Sequence, residues 1–323
     1  MTTSSPRSPL RLGTRGSDLA LWQARHVAGL LADRGVTSEI VVIKTRGDRR
    51  TDVPFADLEG QGFFTRELEE ALRDGRIDLA VHSLKDLAAD QPAGLVLAAL
   101  VGRADARELL LARPGAVDPK RREAGDPLPL RSGARVGTSA VRRRAQLRIR
   151  RPDVETADLR GNVPTRVRKL REGKYDAILV AAAGVARLNL DLSGLAAFPV
   201  APEVIVPAPG QGMLAVQCRD EAPLRSLLRP LHAGSDAAAA EVERRLLAEL
   251  GAGCQMPLGV HVRAQDTGWR LDLFWREPDG GPHLWHAARG GDPHRLATVA
   301  LAEIRALRQR RDGSDPPRER ALP

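Results

Sequence analysis

Lys85 and Asp86 set a cation beside a carboxylate directly after the apolar run Leu79–His82, in the stretch His82-Ser83-Leu84-Lys85-Asp86. In an open α/β sheet, ligands bind beyond the carboxyl ends of the strands. A Lys–Asp pair there is placed for proton transfer and charge stabilisation; elsewhere the same dipeptide is a surface ion pair. Val136 to Arg144 reads as a strand, a tight turn holding Thr138 and Ser139, and a helix start carrying Arg142 and Arg143. Free amides at a helix N-terminus attract anions, whereas arginines in a first turn oppose the helix dipole. Their presence points to an external carboxylate or phosphate held bidentately, against the plainer reading of a solvated basic face. Arg160-Gly161-Asn162 with Arg166, and Arg15 with Ser17, repeat the arrangement at two further junctions. Cys254 sits between Gly253 and Gln255 in a loop, open enough for a thiolate nucleophile. A lone cysteine is more often an inert buried residue, and Cys218, at the end of the apolar run Leu214–Gln217, fits that description.

These residues need strands and helices in alternation to position them. Leu10–Gly13, Glu39–Lys44, Leu79–His82, Leu95–Val101, Val154–Asp158 and Ala177–Ala181 have strand character. Ser17 caps a helix with Ala20, Ala24, Val27 and Leu31 on one face, and Gly35 stops it. Further helices are expected over Thr65–Asp74, Ser139–Ile149 and Val163–Glu172, the last with Asn162 as N-cap and Pro164 in its first turn. The Pro/Gly/Arg-rich stretch Pro114–Arg135 reads as an exposed connector. Leu72-Arg73-Asp74-Gly75-Arg76-Ile77-Asp78 is echoed by Leu170-Arg171-Glu172-Gly173-Lys174-Tyr175-Asp176, which implies two similarly built α/β lobes with a cleft between them. From Ser235 the texture changes to an Ala-rich helix, three strand-like pieces (Leu258–Arg263, Trp269–Trp275, His283–Ala287) and a last helix from Pro293 to about Arg308. That is a small α+β domain. His283 and His286 read as strand residues, so no metal is expected.

Composition narrows the partner. The chain has 323 residues, 50 Lys+Arg against 41 Asp+Glu, and a net charge of +9, so an anionic partner is expected. Aromatics make up 3 %, too few for the stacking platforms that single-stranded nucleic acid requires. There is no Gly-x-x-x-x-Gly-Lys-Ser/Thr loop and no Gly-x-Gly-x-x-Gly after a strand. A small molecule rich in carboxylates therefore fits better than a nucleotide. Two cysteines exclude a disulfide framework. The longest apolar stretch, Ala177–Ala186, is far short of the ~20 residues of a spanning helix. With no apolar run in Met1–Leu10 either, a cytoplasmic protein without membrane or nucleic-acid partners is expected.

Taken together, seven collinear stretches resemble the porphobilinogen deaminase family: Thr14-Arg15-Gly16-Ser17 with Leu21-Trp22-Gln23-Ala24; Thr45-Arg46-Gly47-Asp48; Ala80 to Asp86; Val136-Gly137-Thr138-Ser139; Leu159-Arg160-Gly161-Asn162-Val163; Pro209-Gly210-Gln211-Gly212; and Gly253-Cys254-Gln255. The resemblance implies two periplasmic-binding-protein-like lobes, 10–108 with 208–230 and 109–207, then an α+β domain over 231–310 carrying the cofactor cysteine; the charged, Pro-containing end reads as a disordered tail over 311–323. It implies a transferase of tetrapyrrole (haem) biosynthesis, acting as a monomer. Such an enzyme joins four porphobilinogen molecules head to tail, with loss of ammonia, to give hydroxymethylbilane. By resemblance, a dipyrromethane cofactor is bound covalently through Cys254, Asp86 is the catalytic carboxylate, and Lys85 lies beside it. Ser83, Thr138, Ser139, Arg142, Arg143, Arg160 and Arg166 would bind the cofactor, and Arg15 and Ser17 the substrate. Each pyrrole brings two carboxylates, which accounts for the basic junctions. The chain departs from the family pattern at Asp57, Gln61, Ala88, Ala140 and Pro164. A divergent paralogue and a non-catalytic two-lobe anion binder are the alternatives; a binder needs neither Cys254 nor Asp86.

Overall fold

A computed structural model describes residues 8–44, 65–251, 256–278 and 280–312. Thr45–Asp48, Asp57, Gln61, Cys254 and residues 313–323 lie outside the described residues. The strands, in chain order, begin with β1 (Leu10–Thr14), β2 (Ser38–Val42), β3 (Leu79–Ser83) and β4 (Leu95–Val101). Next come β5 (Glu108–Ala112), β6 (Arg135–Gly137), β7 (Glu155–Ala157), β8 (Ala177–Ala181) and β9 (Ala196–Val200). The series ends with β10 (Leu214–Arg219), β11 (Leu258–Gln265), β12 (Gly268–Arg276) and β13 (His283–Gly290).

Two five-stranded sheets share one plan. Their orders are β2-β1-β3-β10-β4 and β7-β6-β8-β5-β9. In each, three parallel strands are followed by one that runs antiparallel to both its neighbours. β10 returns the chain to the first sheet. The sequence echo falls on equivalent ground, leading into β3 in one sheet and β8 in the other, the middle strand of each order. Its last residue does the same work twice. Asp78 accepts the backbone N–H of Arg11 at 2.9 Å, and Asp176 accepts that of Arg135 at 2.9 Å. The residue before each aspartate packs over a glycine of the neighbouring strand. A Cβ on Gly13 would lie 2.3 Å from Ile77, and one on Gly137 would lie 2.8 Å from the Tyr175 ring.

Helices cover both faces of these sheets. Helix Asp18–Ala32 buries Ala24, Val27 and Leu31 against Leu12, Leu79 and Val216. Helix Arg66–Arg73 buries Leu68, Ala71 and Leu72 on Ile77 and Ala80. In the second sheet, helix Val163–Arg171 buries Val167 and Leu170 on Ile178 and Val180. The three-stranded antiparallel sheet β11-β12-β13 packs one face on helices Gly234–Glu249 and Pro293–Asp312, through Val242, Leu246, Ala297 and Leu301. From its other face Phe274 packs on Ala145 and Val206. By contacts the described chain divides into two compact units, Met1–Arg103 with Met213–Ala233, and Ala104–Gly212 with Gly234–Pro323. The last helix continues to Asp312, past the expected end near Arg308, so Arg310 is an exposed helical residue and the tail cannot begin at 311.

The stretch Pro114–Arg135 is not an exposed connector. Ala116, Val117, Leu128, Leu130 and Ala134 are buried in the core of the second sheet, and Val117 bridges Leu130. Arg151, 4 % exposed, donates to the carbonyl oxygens of Leu128 and Leu130 and pairs with Asp153 at 2.7 Å. The apolar anchors are too few and too irregularly spaced to show a period among Pro, Gly and Arg. Leu130→Ala should therefore cost about 2–5 kcal/mol, as buried leucine truncations do. Arg131→Ala, at an exposed neighbour, should stay within about 0.5 kcal/mol. Equal urea midpoints for the two variants would return this stretch to the surface.

Candidate active site

In the first unit a concavity is lined by Arg15, Ser17, Gln23, Thr65, His82, Ser83 and Asp86, together with the apolar atoms of Leu19, Ala20 and Val81. Ser17 caps its helix as expected, accepting the Ala20 N–H at 3.4 Å. β3 ends at Ser83 and turns at once through the short 3-10 turn Leu84–Asp86. Buried Leu84 anchors that turn, and its N–H donates to the Met213 carbonyl at 3.1 Å. Lys85 and Asp86, the next two residues of the turn, are exposed. Asp86 makes no hydrogen bond or ion pair among the described residues, so its carboxylate is available to a ligand.

Three pocket residues escaped the sequence reading. Gln23 is 3 % exposed and donates to Ser83 Oγ at 2.8 Å. A glutamine on the Ala20-Ala24-Val27-Leu31 face was the available signal, since buried polar groups need a partner. His82 is 6 % exposed, and its Nε2 lies 3.1 Å from Gln217 Oε1. Burial is the main force holding its imidazole down at about 4, with nearby Arg15 acting in the same direction. Thr65, also buried, precedes helix Arg66–Arg73.

The second unit builds its cluster from two strand–helix junctions tied together. Ser139 Oγ donates to the Leu159 carbonyl at 2.9 Å and accepts its N–H at 3.0 Å. Thr138 is 1 % exposed, and its N–H donates to the Ala157 carbonyl. Helix Val141–Arg150 accordingly starts two residues later than expected. Asn162 caps the next helix through the Thr165 N–H at 3.0 Å. Gly161 takes φ 107° there, where an added Cβ would strike Thr165. Arg166 Nε donates to the Gly161 carbonyl at 2.8 Å, and the Arg160 carbonyl accepts from Lys169 Nζ at 3.1 Å. Both Arg160 and Arg166 are half-buried.

Arg142 and Arg143 differ from expectation. Each is 5 % exposed, and their counter-charge is internal: Glu108, fully buried, accepts from Arg142 at 2.5 Å and forms an ion pair with Arg143 at 2.7 Å. Arg142 also donates to the Val206 carbonyl and Arg143 to that of Leu179. Burial pulls the Arg142 guanidinium down and Glu108 opposes it. The first-turn arginines thus offset a carboxylate from β5 that lies over thirty residues away in sequence. Two guanidinium groups on one carboxylate leave a net positive charge at this helix start.

Cys218 is fully buried, and burial pushes its thiol up to about 11. Its burial is the one the sequence led us to expect. His283 and His286 lie on β13, with His286 Nδ1 3.2 Å from Glu303, and no metal-binding cluster occurs among the described residues. No helix among the described residues is long and apolar enough to cross a membrane.

Two family models match this chain: the dipyrromethane cofactor binding domain of porphobilinogen deaminase over residues 10–225, and the C-terminal domain of porphobilinogen deaminase over residues 237–281. A porphobilinogen deaminase of Syntrophotalea carbinolica is 44 % identical over 278 residues, 85 % of this chain and 84 % of that one. Another, of Roseiflexus sp. strain RS-1, is 48 % identical over 258 residues, 79 % of this chain and 81 % of that one. Among solved structures, the periplasmic VFT2 domain of Bordetella pertussis BvgS aligns at 15 % identity and TM-score 0.43, over 72 % of this chain and 91 % of that one.

Two expectations follow from the junctions. Ala140 holds the N-cap position of helix Val141–Arg150 in extended geometry without a side-chain cap. Ala140→Ser should stabilise the protein by about 0.5–2 kcal/mol; an unchanged or lowered melting temperature would contradict this. Arg142→Ala breaks a buried pair and should cost about 3–5 kcal/mol, while Arg310→Ala should stay within about 0.5 kcal/mol. Comparable losses in chemical denaturation would remove Glu108 from its role as counter-charge.

Proposed function

The chain belongs to the porphobilinogen deaminase family, and from that premise we propose that its two donor clusters and Asp86 carry out the head-to-tail condensation of four porphobilinogen molecules to hydroxymethylbilane. The observation that carries the site assignment is Asp86: an unengaged carboxylate at the end of a central strand, in a concavity that it shares with Arg15, Ser17, Thr65 and Ser83. The paralogue and anion-binder alternatives gain no support from this arrangement.

The donor set fits a dipyrromethane. Its acetate and propionate groups ask for guanidinium and hydroxyl partners, and Arg15, Ser17 and Ser83 line the first cluster. Arg160 and Arg166 flank the second, where Arg142, Arg143 and Glu108 leave a surplus positive charge. When attached through Cys254, the cofactor supplies the free pyrrole position on which the chain is extended. Thr138 and Ser139 hold the turn in shape for it, and Lys85 stands beside the reacting pocket.

In each round the substrate carbon–nitrogen bond breaks and ammonia leaves with a proton. A carbon–carbon bond forms, and the ring that was attacked gives up its proton. Asp86 stabilises the cation left when ammonia departs and takes the proton released on coupling. Water ends the sequence by releasing the product. We place the protein in the cytoplasm as a monomer, in keeping with a reduced, nucleophilic Cys254, and divide it into lobes 10–108 with 208–230 and 109–207 and a cofactor-bearing domain 231–310.

Asp86→Asn keeps the shape and removes both functions. At saturating porphobilinogen, ammonia release should fall by at least ~10²-fold, with cofactor occupancy on Cys254 checked by mass. Near-normal release at full occupancy would take Asp86 out of the mechanism.

A further inference from the structure

A side-chain relay behind the Asp86 pocket fixes which nitrogen of His82 carries a proton. Gln91 Nε2 lies 3.3 Å from the Ala88 carbonyl oxygen and 3.4 Å from that of Asp90. Carbonyl oxygens only accept, so this end of the Gln91 amide is the donor and its Oε1 is an acceptor. Gln217 Nε2 donates to that Oε1 at 3.0 Å, which leaves Gln217 Oε1 to accept from His82 Nε2 at 3.1 Å. The proton of the neutral ring is therefore on Nε2, and Nδ1 carries a lone pair. Nδ1 has no partner among the described residues, and His82 lines the pocket that holds Asp86.

We propose that His82 is a substrate-binding residue whose Nδ1 accepts an N–H of the bound pyrrole substrate, so that the pocket has an acceptor wall, His82 and Asp86, beside donors that take carboxylates. This rests on the pyrrole-condensing reading and deepens it. A neutral imidazole lone pair attracts N–H and repels carboxylate oxygen, so it sets which end of the substrate faces Asp86. Gln217 and Gln91 act through His82 and are positioning residues. The charged groups facing the ring are Arg15, from the loop after β1, and Asp86, from its own loop. Gln23 from helix Asp18–Ala32, Thr65, and Gln217 from β10 are neutral.

Two variants separate binding from structure. His82→Leu removes the ring and with it the Nδ1 acceptor. Its kcat/KM for porphobilinogen should fall roughly 3- to 10-fold, the worth of one hydrogen bond, with cofactor mass retained. Gln217→Glu places a carboxylate on Nε2 and favours the imidazolium, turning Nδ1 into a donor. Its kcat/KM should be low at neutral pH and climb as rising pH removes the ring proton, a limb missing from the wild type. Wild-type turnover with an unchanged His82→Leu, or a Gln217→Glu profile parallel to the wild type, overturns the assignment of His82 alone. A wild-type protein that releases no ammonia from porphobilinogen overturns the condensation reading and this inference with it.

Discussion

One carboxylate at the foot of each middle strand sets the register on which everything above it depends. Asp78 and Asp176 each receive a backbone N–H from the adjoining strand, and each gives its own N–H back to the same residue, Arg11 or Arg135. The pairings that follow match step for step: Leu12 with Leu79 and Gly13 with Ala80, Val136 with Ala177 and Gly137 with Ile178. A slip of one residue would turn every side chain of the strand to the opposite face. It would also drive Gly13 or Gly137 off the one position where Ile77 or Tyr175 can lie against bare backbone.

With the register held, the carboxyl ends of the strands deliver their loops to defined places. In the first unit this brings Arg15 and Ser17 from the end of β1 together with Ser83 and Asp86 from the end of β3. In the second it brings Thr138 and Ser139 to Leu159, so that two helix starts share one set of hydrogen bonds. The charge collected there would repel itself without Glu108. Its burial between Arg142 and Arg143 lets a helix begin with arginines against its own dipole. Two charges of one sign and one of the other are a stable way to store a surplus positive charge for an anionic ligand.

What was legible in the sequence was local. Ser17 and Asn162 announce helix starts because capping is a contact over three residues, and the Gly75 and Gly173 junctions announce the entry to β3 and β8 for the same reason. Lys85-Asp86 stood out because it follows an apolar strand. What stayed hidden was long-range. No pattern near Arg142 reveals that its partner is Glu108, and none near His82 reveals Gln217, 135 residues on. The antiparallel strands β5 and β10 owe their place to chain crossings that alternation does not express. The core contribution of Leu128 and Leu130 was masked by the prolines and arginines around them, which are tolerated because Arg151 ties that backbone down.

We propose that this chain extends a pyrrole oligomer carried covalently on Cys254, with Asp86 driving each addition. Intact-mass spectrometry of the purified protein, before and after limiting porphobilinogen, tests it most directly. The expected result is a resting mass above the 34.9 kDa of the bare chain by one dipyrromethane, a ladder of single-pyrrole increments on adding substrate, and neither in Cys254→Ser. A protein that consumes porphobilinogen while keeping the mass of the bare chain throughout would contradict it.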